Sequence, residues 1–564
     1  MSLKVLFRKK IFDPAAPPVE ASHGNSLSKV LSVKDLTFFG IAAVIGGGTF
    51  SAIGNACFTG GPGVIVLYII CAIACGFTAL CYAEFASRMP VSGSAYSYSY
   101  YSFGEIFAWI IGWALLMEYS IGNIYIAFSW SGYFTNLVEA INPAWHIPEW
   151  LTINYSEAHD AFLTGKNGSE GFLAWCGAPV VNGLHIIFDL PAVMINLLIT
   201  ALVYVGTKES RNISNAMVIL KLIIIGFVIV AGCFYMDIRN WHPFFPNGFS
   251  GVMGAVSGVF FAYIGFDAVS TLAEECENPQ RDLPKGMMLS LLVCTVIFVI
   301  LCLVLTAMAP YNLLGVSDPL AAVFKIKGVK WMLFLVSIAA VIAMSSVLLV
   351  FQMGQPRIWM AMSRDGLLPP RFAKIHPRFK TPGFATIITG LVVGIPLFFT
   401  NEKFVLDFTS IGTLFAFVLV CGGVLTLPHE DSSDNKTTKR FRLPYINGKW
   451  IMPFLAILVF IAVFLIPGYS QVLFSSDLNS IAKNIPMLLF LALCVVLSYF
   501  AFTRSLSLIP MLGLVSCTYL LTGMETSNWV WFSLWLSFGL IVYFCYGFRK
   551  SKLNVKKIEP TTNK

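Results

Sequence analysis

Long apolar runs dominate this chain. From about residue 36 to residue 547 the sequence consists of continuous apolar stretches of roughly 18 to 25 residues, each enough to cross about 30 Å of hydrocarbon as an α-helix. A helix buried in a water-soluble core shows a polar face every third or fourth residue, whereas Ile219 to Gly232 carries a single charge, Lys221. The runs do not alternate in and out as the strands of a membrane barrel would, so helix is the expected spanning element. With only 12% charged residues against 57% apolar, the chain lacks the polar surface that a soluble domain of this size needs. The expected fold class is an all-α membrane protein.

Spans are expected near 36–58, 64–87, 105–138, 186–205, 213–236, 251–275, 287–309, 329–356, 383–400, 405–427, 451–467, 485–502, 506–522 and 528–547, about 14 in all. An even number places both termini on one side. With that side cytoplasmic, only Lys166, Arg239, Lys325, Lys327, Lys330, Lys403 and Lys483 of the 37 Lys and Arg residues fall outside, and Lys221 lies within a span. The expected organisation is a cytoplasmic segment 1–35, a ten-helix core 36–427, a cytoplasmic loop 428–450, four further helices in 451–547 and a basic tail 548–564. Residues 357–382 read as a second basic inner loop, and 139–185 as a polar outer connection. The triplet Asn167-Gly168-Ser169 fits a glycosylation pattern, which also arises often by chance.

Residues 1–35 lack the short apolar stretch and small-residue cleavage site of a secretory signal. The net charge of +8 follows the loops, so topology explains it better than a nucleic-acid partner does. Nearly all of the 13 cysteines sit inside apolar runs, which points away from a disulfide framework or a zinc site. No cofactor or metal is expected, and the seven His residues are too scattered for a catalytic triad or a ligand set, so neither is an enzyme.

Two spans carry features that a plain lipid-facing helix has no use for. Ile45-Gly46-Gly47-Gly48-Thr49-Phe50 puts three consecutive glycines near mid-membrane, where each lowers helix stability by about 1 kcal/mol relative to Ala. Five spans later, Gly258 and Tyr263-Ile264-Gly265-Phe266-Asp267 place glycines and an acid at comparable depth. Paired interruptions of this kind suggest two five-helix inverted repeats, near 36–236 and 251–427, with unwound backbone exposed to a substrate at the midplane. Half-helix N-termini favour a carboxylate and half-helix C-termini an ammonium, so a zwitterionic amino acid suits both ends. The alternative is that the glycines simply let helices pack closely.

Glu118, Lys221 and Asp267 are charges within spans, where each costs roughly 2.5 to 3.5 kcal/mol on insertion scales and is expected to face a cavity or a partner. Lys221 lies about 12 Å from the nearer end of its span, far for its side chain to snorkel out. Hydroxyls of Ser345 and Ser346, with a freed carbonyl of the first span, are the expected acceptors of its ammonium. Lys221 is therefore the candidate that couples proton movement to substrate movement, the alternative being a permanently charged tether. Glu84 and Arg88, four residues apart, read as a local ion pair.

Particular strings add a resemblance. Phe260-Phe261-Ala262-Tyr263-Ile264-Gly265-Phe266-Asp267-Ala268-Val269-Ser270, running on to Asn278-Pro279-Gln280-Arg281-Asp282-Leu283-Pro284, resembles the sixth span and following loop of the cationic amino acid transporter family. So do Ala361-Met362-Ser363-Arg364-Asp365-Gly366-Leu367-Leu368-Pro369-Pro370, Ile411-Gly412-Thr413-Leu414-Phe415-Ala416-Phe417 and the glycine run. That family belongs to the amino acid-polyamine-organocation superfamily. The resemblance implies a LeuT-type 5+5 inverted-repeat bundle with four additional C-terminal spans. It also implies transport of L-amino acids by alternating access, with carboxylate contacts at Ile45, Gly46, Gly47 and Gly48 and amino contacts at the backbone of Phe260, Phe261, Ala262 and Tyr263.

Met217-Val218-Ile219-Leu220-Lys221-Leu222 resembles the fifth-span segment whose lysine, in bacterial relatives, stands where sodium-coupled relatives hold an ion. The resemblance thus favours proton-coupled symport, with the proton as coupling ion, over exchange or uniport. Glu118, in Met117-Glu118-Tyr119, resembles the family's third-span glutamate. Thr49 stands where an aliphatic residue is usual, Pro356 where Ser or Thr is common, and 140–185 is longer than in bacterial relatives. Partners implied are an L-amino acid and the lipids of a plasma or inner membrane. An amino-acid sensor without transport stays open, and oligomeric state cannot be read from these residues.

Overall fold

The structure is a computed structural model that describes residues 7–10, 31–89, 93–165, 168–206, 210–316, 318–379, 381–400, 402–427, 441–465 and 478–555. Among these, nine helices are long and apolar enough to cross a membrane, one further pair joins across a bend, and four apolar helices are shorter. The third helix, Glu105–Ile141, forms the axis and packs along Lys330–Arg364 and Glu402–Leu425. Val64–Arg88 packs along Pro279–Met308, which also holds Val33–Val44.

The first helix starts at a capping box in which Ser32 and Asp35 satisfy each other's backbone groups. It stops at Val44, and the chain resumes as one wide turn, Gly48–Ala52, and a helix Ile53–Gly60, bent by 46° from the first part. The sixth segment breaks likewise. Its helix Val256–Phe261 ends in a turn with Gly265 at φ 112°, and Phe266–Glu275 continues as a tighter 3-10 helix.

The late helices join this core unequally. Ile451–Leu465 and Leu478–Arg504 pack on each other, and Leu508–Leu521 connects them to Val64–Arg88 and Glu402–Leu425. Thr526–Val542 lies on Glu105–Ile141, where Trp113 and Trp535 stack at 4.9 Å and each indole donates to the other's backbone carbonyl.

Two expectations are corrected. The eighth span does not end at residue 356: the helix runs through Pro356 to Arg364, so 357–364 is not loop. The proline forfeits one backbone bond, but Ile358 and Met362 beyond it are fully buried, and that packing holds the last turns. The 139–185 connection is not a plain polar loop. It folds around Ile153, Ala158, Ala174 and Ala178 as two short helices, Tyr155–Leu163 capped by Asn154 and Glu170–Gly177 capped by Ser169. A two-residue hairpin, Val180–Val181 with Leu184–His185, follows. Asn167 lies outside the described residues. We call the end of the bundle that carries this connection the loop face, and the opposite end, with residues 7–10 and 548–555, the termini face.

Candidate functional site

The three glycines of the broken first helix each meet a different neighbour. A Cβ on Gly46 would overlap Val347, one on Gly47 would lie 3.2 Å from Ile126 and from the Tyr125 ring, and one on Gly48 would overlap the backbone of Ala262. Backbone of the first segment thus runs against backbone of the sixth at the point where both lose helical form. Close packing and unwound backbone, set out above as alternatives, occur here together.

Lys221 reaches into this break. It is fully buried, and its Nζ donates to Ile45 O at 2.8 Å, Ala42 O at 3.1 Å and Ser346 Oγ at 3.2 Å. The Ile45 carbonyl lies just past the last helical residue, where the chain no longer supplies an amide donor four residues on. Ser345 does not share the amine. Its hydroxyl donates to Val341 O and accepts from Trp130 Nε1 at 2.9 Å, because consecutive residues on a helix point about 100° apart.

On the sixth segment the side chains turn into the core and leave the turn itself as backbone. The Phe260 ring packs on Phe417, Tyr263 donates to Tyr68 O at 2.9 Å, and Phe261 meets Tyr125 edge to face at 4.6 Å. Tyr125 in turn donates to Ser51 at 3.1 Å, which ties the third helix to both breaks. Gly265 fits here because a side chain would be strained at its positive φ and would press on Ala43.

Deeper toward the termini face, Glu118 and Asp267 are both buried and near enough for each charge to act on the other. Thr413 hydrogen-bonds Glu118 and backbone amides around Gly265 and Ala268 approach the Asp267 carboxylate, but the Oε2 of Glu118 has no partner among the described residues. Thr49 Oγ1 and both ends of the fully buried Asn123 amide also lack partners among the described residues. Buried polar groups are rarely left so, and a string of them marks room for a polar ligand or water.

The model of the family described as amino acid permease matches residues 31–496, and that of the permease C-terminus matches 506–551. The chain belongs to the amino acid permease family. Among its relatives, a methylthioribose transporter of Bacillus subtilis is 36% identical over 550 residues, covering 97% of this chain and 99% of its own length. A branched-chain amino acid permease of the same organism is 35% identical over 552 residues, with the same two shares. Human cationic amino acid transporter 4 is 29% identical over 601 residues, covering 96% of this chain and 91% of its own. The permease falls in the cationic amino acid transporter family and is an integral membrane protein.

In the permease, then, the residues singled out from sequence divide into three groups. Gly46, Gly47, Gly48, Phe261 and Ala262 come together at the facing breaks, with Lys221 and Ser346 behind Ile45. Phe260 and Tyr263 offer only their main chain, and Glu118 with Asp267 forms a separate acidic pair. Asn123, Tyr125 and Ser51 were not singled out. Asn123 had a signal, a carboxamide in an apolar run five residues after Glu118, whereas the Tyr125–Ser51 bond depends on how two helices are rotated.

Proposed function

We propose that this permease is a secondary active transporter that carries an L-amino acid together with a proton by alternating access. Its two five-helix halves, 36–236 and 251–427, would be inverted repeats, with both chain termini cytoplasmic as the Lys and Arg distribution favours. The observation that carries the reading is Lys221, buried in the bundle with its amine on two carbonyls of the broken first helix.

An ammonium has three protons, and here it has three acceptors, Ala42 O, Ile45 O and Ser346 Oγ. A neutral amine keeps two, so loss of the proton releases at least one acceptor and weakens the others, which are no longer charge-assisted. Protonation of Lys221 would thus hold the first half-helix in place, and deprotonation would free it. The half-helix that ends at Val44 is the one whose movement would open the site at Gly46 to Gly48 toward one side. The substrate carboxylate would meet the backbone there, and its amino group the main-chain oxygens of Phe260 to Tyr263. The acidic pair Glu118 and Asp267 would face a basic side chain, or water in its absence.

Uptake of radiolabelled leucine, lysine, arginine and methylthioribose into proteoliposomes, with and without an inward proton gradient, tests this. Wild type and Ser345→Ala are expected to accumulate amino acid above equilibrium only with the gradient. Lys221→Ala is expected to lose accumulation yet keep exchange of preloaded substrate. Equal accumulation without a gradient, or an unaffected Lys221→Ala, would reject coupling through Lys221 in favour of exchange or facilitated diffusion. Uptake of methylthioribose alone would reject the amino-acid reading.

A further inference from the structure

The groups that hold Lys221 suit its charged form. Ala42 O and Ile45 O can only accept, and the Ser346 hydroxyl gives its own proton to Ala343 O at 2.6 Å, a bond it would break by turning to the amine. In the cycle proposed above Lys221 loses a proton, and the neutral amine then carries a lone pair at a fully buried position. A buried acceptor left without a donor is costly, so a donor beside Lys221 is called for.

The seventh span has one at the right place. The fifth span, Ser210–Cys233, and Pro279–Met308 run in the same direction and pack together, with the first half-helix against both. Near the loop face they meet at Gly232, where an added Cβ would lie 2.4 Å from Val304 Cγ1, and just beyond, where the Asp237 amide donates to Ala307 O. Lys221 is eleven residues below Gly232 and Cys294 is ten below Val304. Each interval is about three helical turns, so both side chains return to the facing sides at one depth. Cys294 is fully buried, and its thiol is near enough for a charge on it or on Lys221 to act on the other. One turn nearer the termini face, Ser290 sits against Gly40, two residues before Ala42.

No charged group competes for the amine. The elements packed on the fifth span are the first half-helix and the seventh and eighth spans. Their nearest charges, Asp35, Lys285 and Arg357, lie seven, nine and eleven residues from Ala42, Cys294 and Ser346, each at least about 10 Å along its helix toward the termini face. We propose that Cys294 is a positioning residue for the coupling proton, its S–H turning to the Lys221 amine when the ammonium gives its proton up. This role rests on the coupling reading given above. The thiol keeps its hydrogen throughout, and only the Lys221 proton moves, to the side then open. A thiol suits the position because, as a weak donor, it can stand without an acceptor while Lys221 is charged.

The test follows uptake into proteoliposomes of whichever of radiolabelled leucine, lysine or arginine the wild type takes up, at a series of pH values set equal inside and outside. Wild type is compared with Lys221→Ala, Cys294→Ala, Cys294→Val and Cys294→Ser. Without the thiol the neutral amine has no donor, so Lys221 keeps its proton to higher pH. The pH profiles of Cys294→Ala and Cys294→Val are expected to move upward by about one unit. That of Cys294→Ser is expected to stay near wild type, because a hydroxyl also donates. Exchange of preloaded substrate, which needs no proton release, is expected to persist in every variant and separates the effect from misfolding. Wild-type profiles for Cys294→Ala and Cys294→Val, while Lys221→Ala loses gradient-driven accumulation, overturn the role of Cys294 alone. So does an equal shift in Cys294→Ser, which marks packing and not donation. Gradient-driven accumulation by Lys221→Ala overturns the coupling reading and this role with it.

Discussion

Gly48→Ala is expected to abolish substrate uptake in proteoliposomes, whereas Gly226→Ala, in the same assay, transports as wild type. The added Cβ on Gly48 would overlap Ala262 Cα and sit 2.9 Å from its Cβ and 3.0 Å from its nitrogen, while nothing lies within 4 Å of one on Gly226. A flexible side chain could swing aside, but Ala262 presents backbone, so one of the two broken segments has to move. Overpacking of this kind costs about 1–3 kcal/mol or more, and here the strain falls where both segments leave helical form. Elution as a monodisperse peak with no uptake is the expected outcome. Wild-type uptake by Gly48→Ala would mean that the two breaks do not meet in the transporting protein.

The largest loss of stability is expected from Glu105→Ala. This fully buried carboxylate accepts from Arg8 Nε at 2.9 Å and Nη2 at 2.7 Å, from Tyr100 at 2.8 Å, from Tyr543 at 2.9 Å and from Ser551. It therefore ties the N-terminal segment, the helix Ser94–Ser102 and the end of the last span to the third helix. Removing one partner of a buried ion pair costs about 3–5 kcal/mol, because the other charge is left without compensation. Thermal unfolding should fall clearly below wild type, and limited trypsin digestion should cut sooner at Arg8, Lys9 and Lys10. Arg8→Gln should do less, since the Arg8 side chain is 14% exposed and water can replace part of what it loses. An unchanged melting profile for Glu105→Ala would contradict this hub.

How much of this was legible beforehand depends on the distance over which each signal acts. Apolar runs and glycine triplets are local, so the spans and the breaks at Gly46 to Gly48 and Gly265 could be read directly. Lys221 stood out because a charge in an apolar run needs a partner. That Ser346 rather than Ser345 answers it depends on helix rotation, which two adjacent serines do not reveal. Pro356 reads locally as a stop, and only burial of Ile358 and Met362 against distant elements overrides it. In the 139–185 connection neither the helices nor their capping residues Asn154 and Ser169 were singled out, because helices of eight or nine residues are too short to show a clear apolar period. Glu105 was not singled out, because nothing near it in sequence points to Arg8, 97 residues away.

Substrate and proton are proposed to move together through a site governed by Lys221. The most direct measurement loads proteoliposomes with a pH-sensitive dye, adds external amino acid without any imposed gradient, and follows the internal pH while uptake of the same amino acid is counted. Acidification of the lumen that rises in proportion to uptake in wild type, and is absent from Lys221→Ala, is the predicted result. Uptake by wild type with no change in internal pH would contradict it.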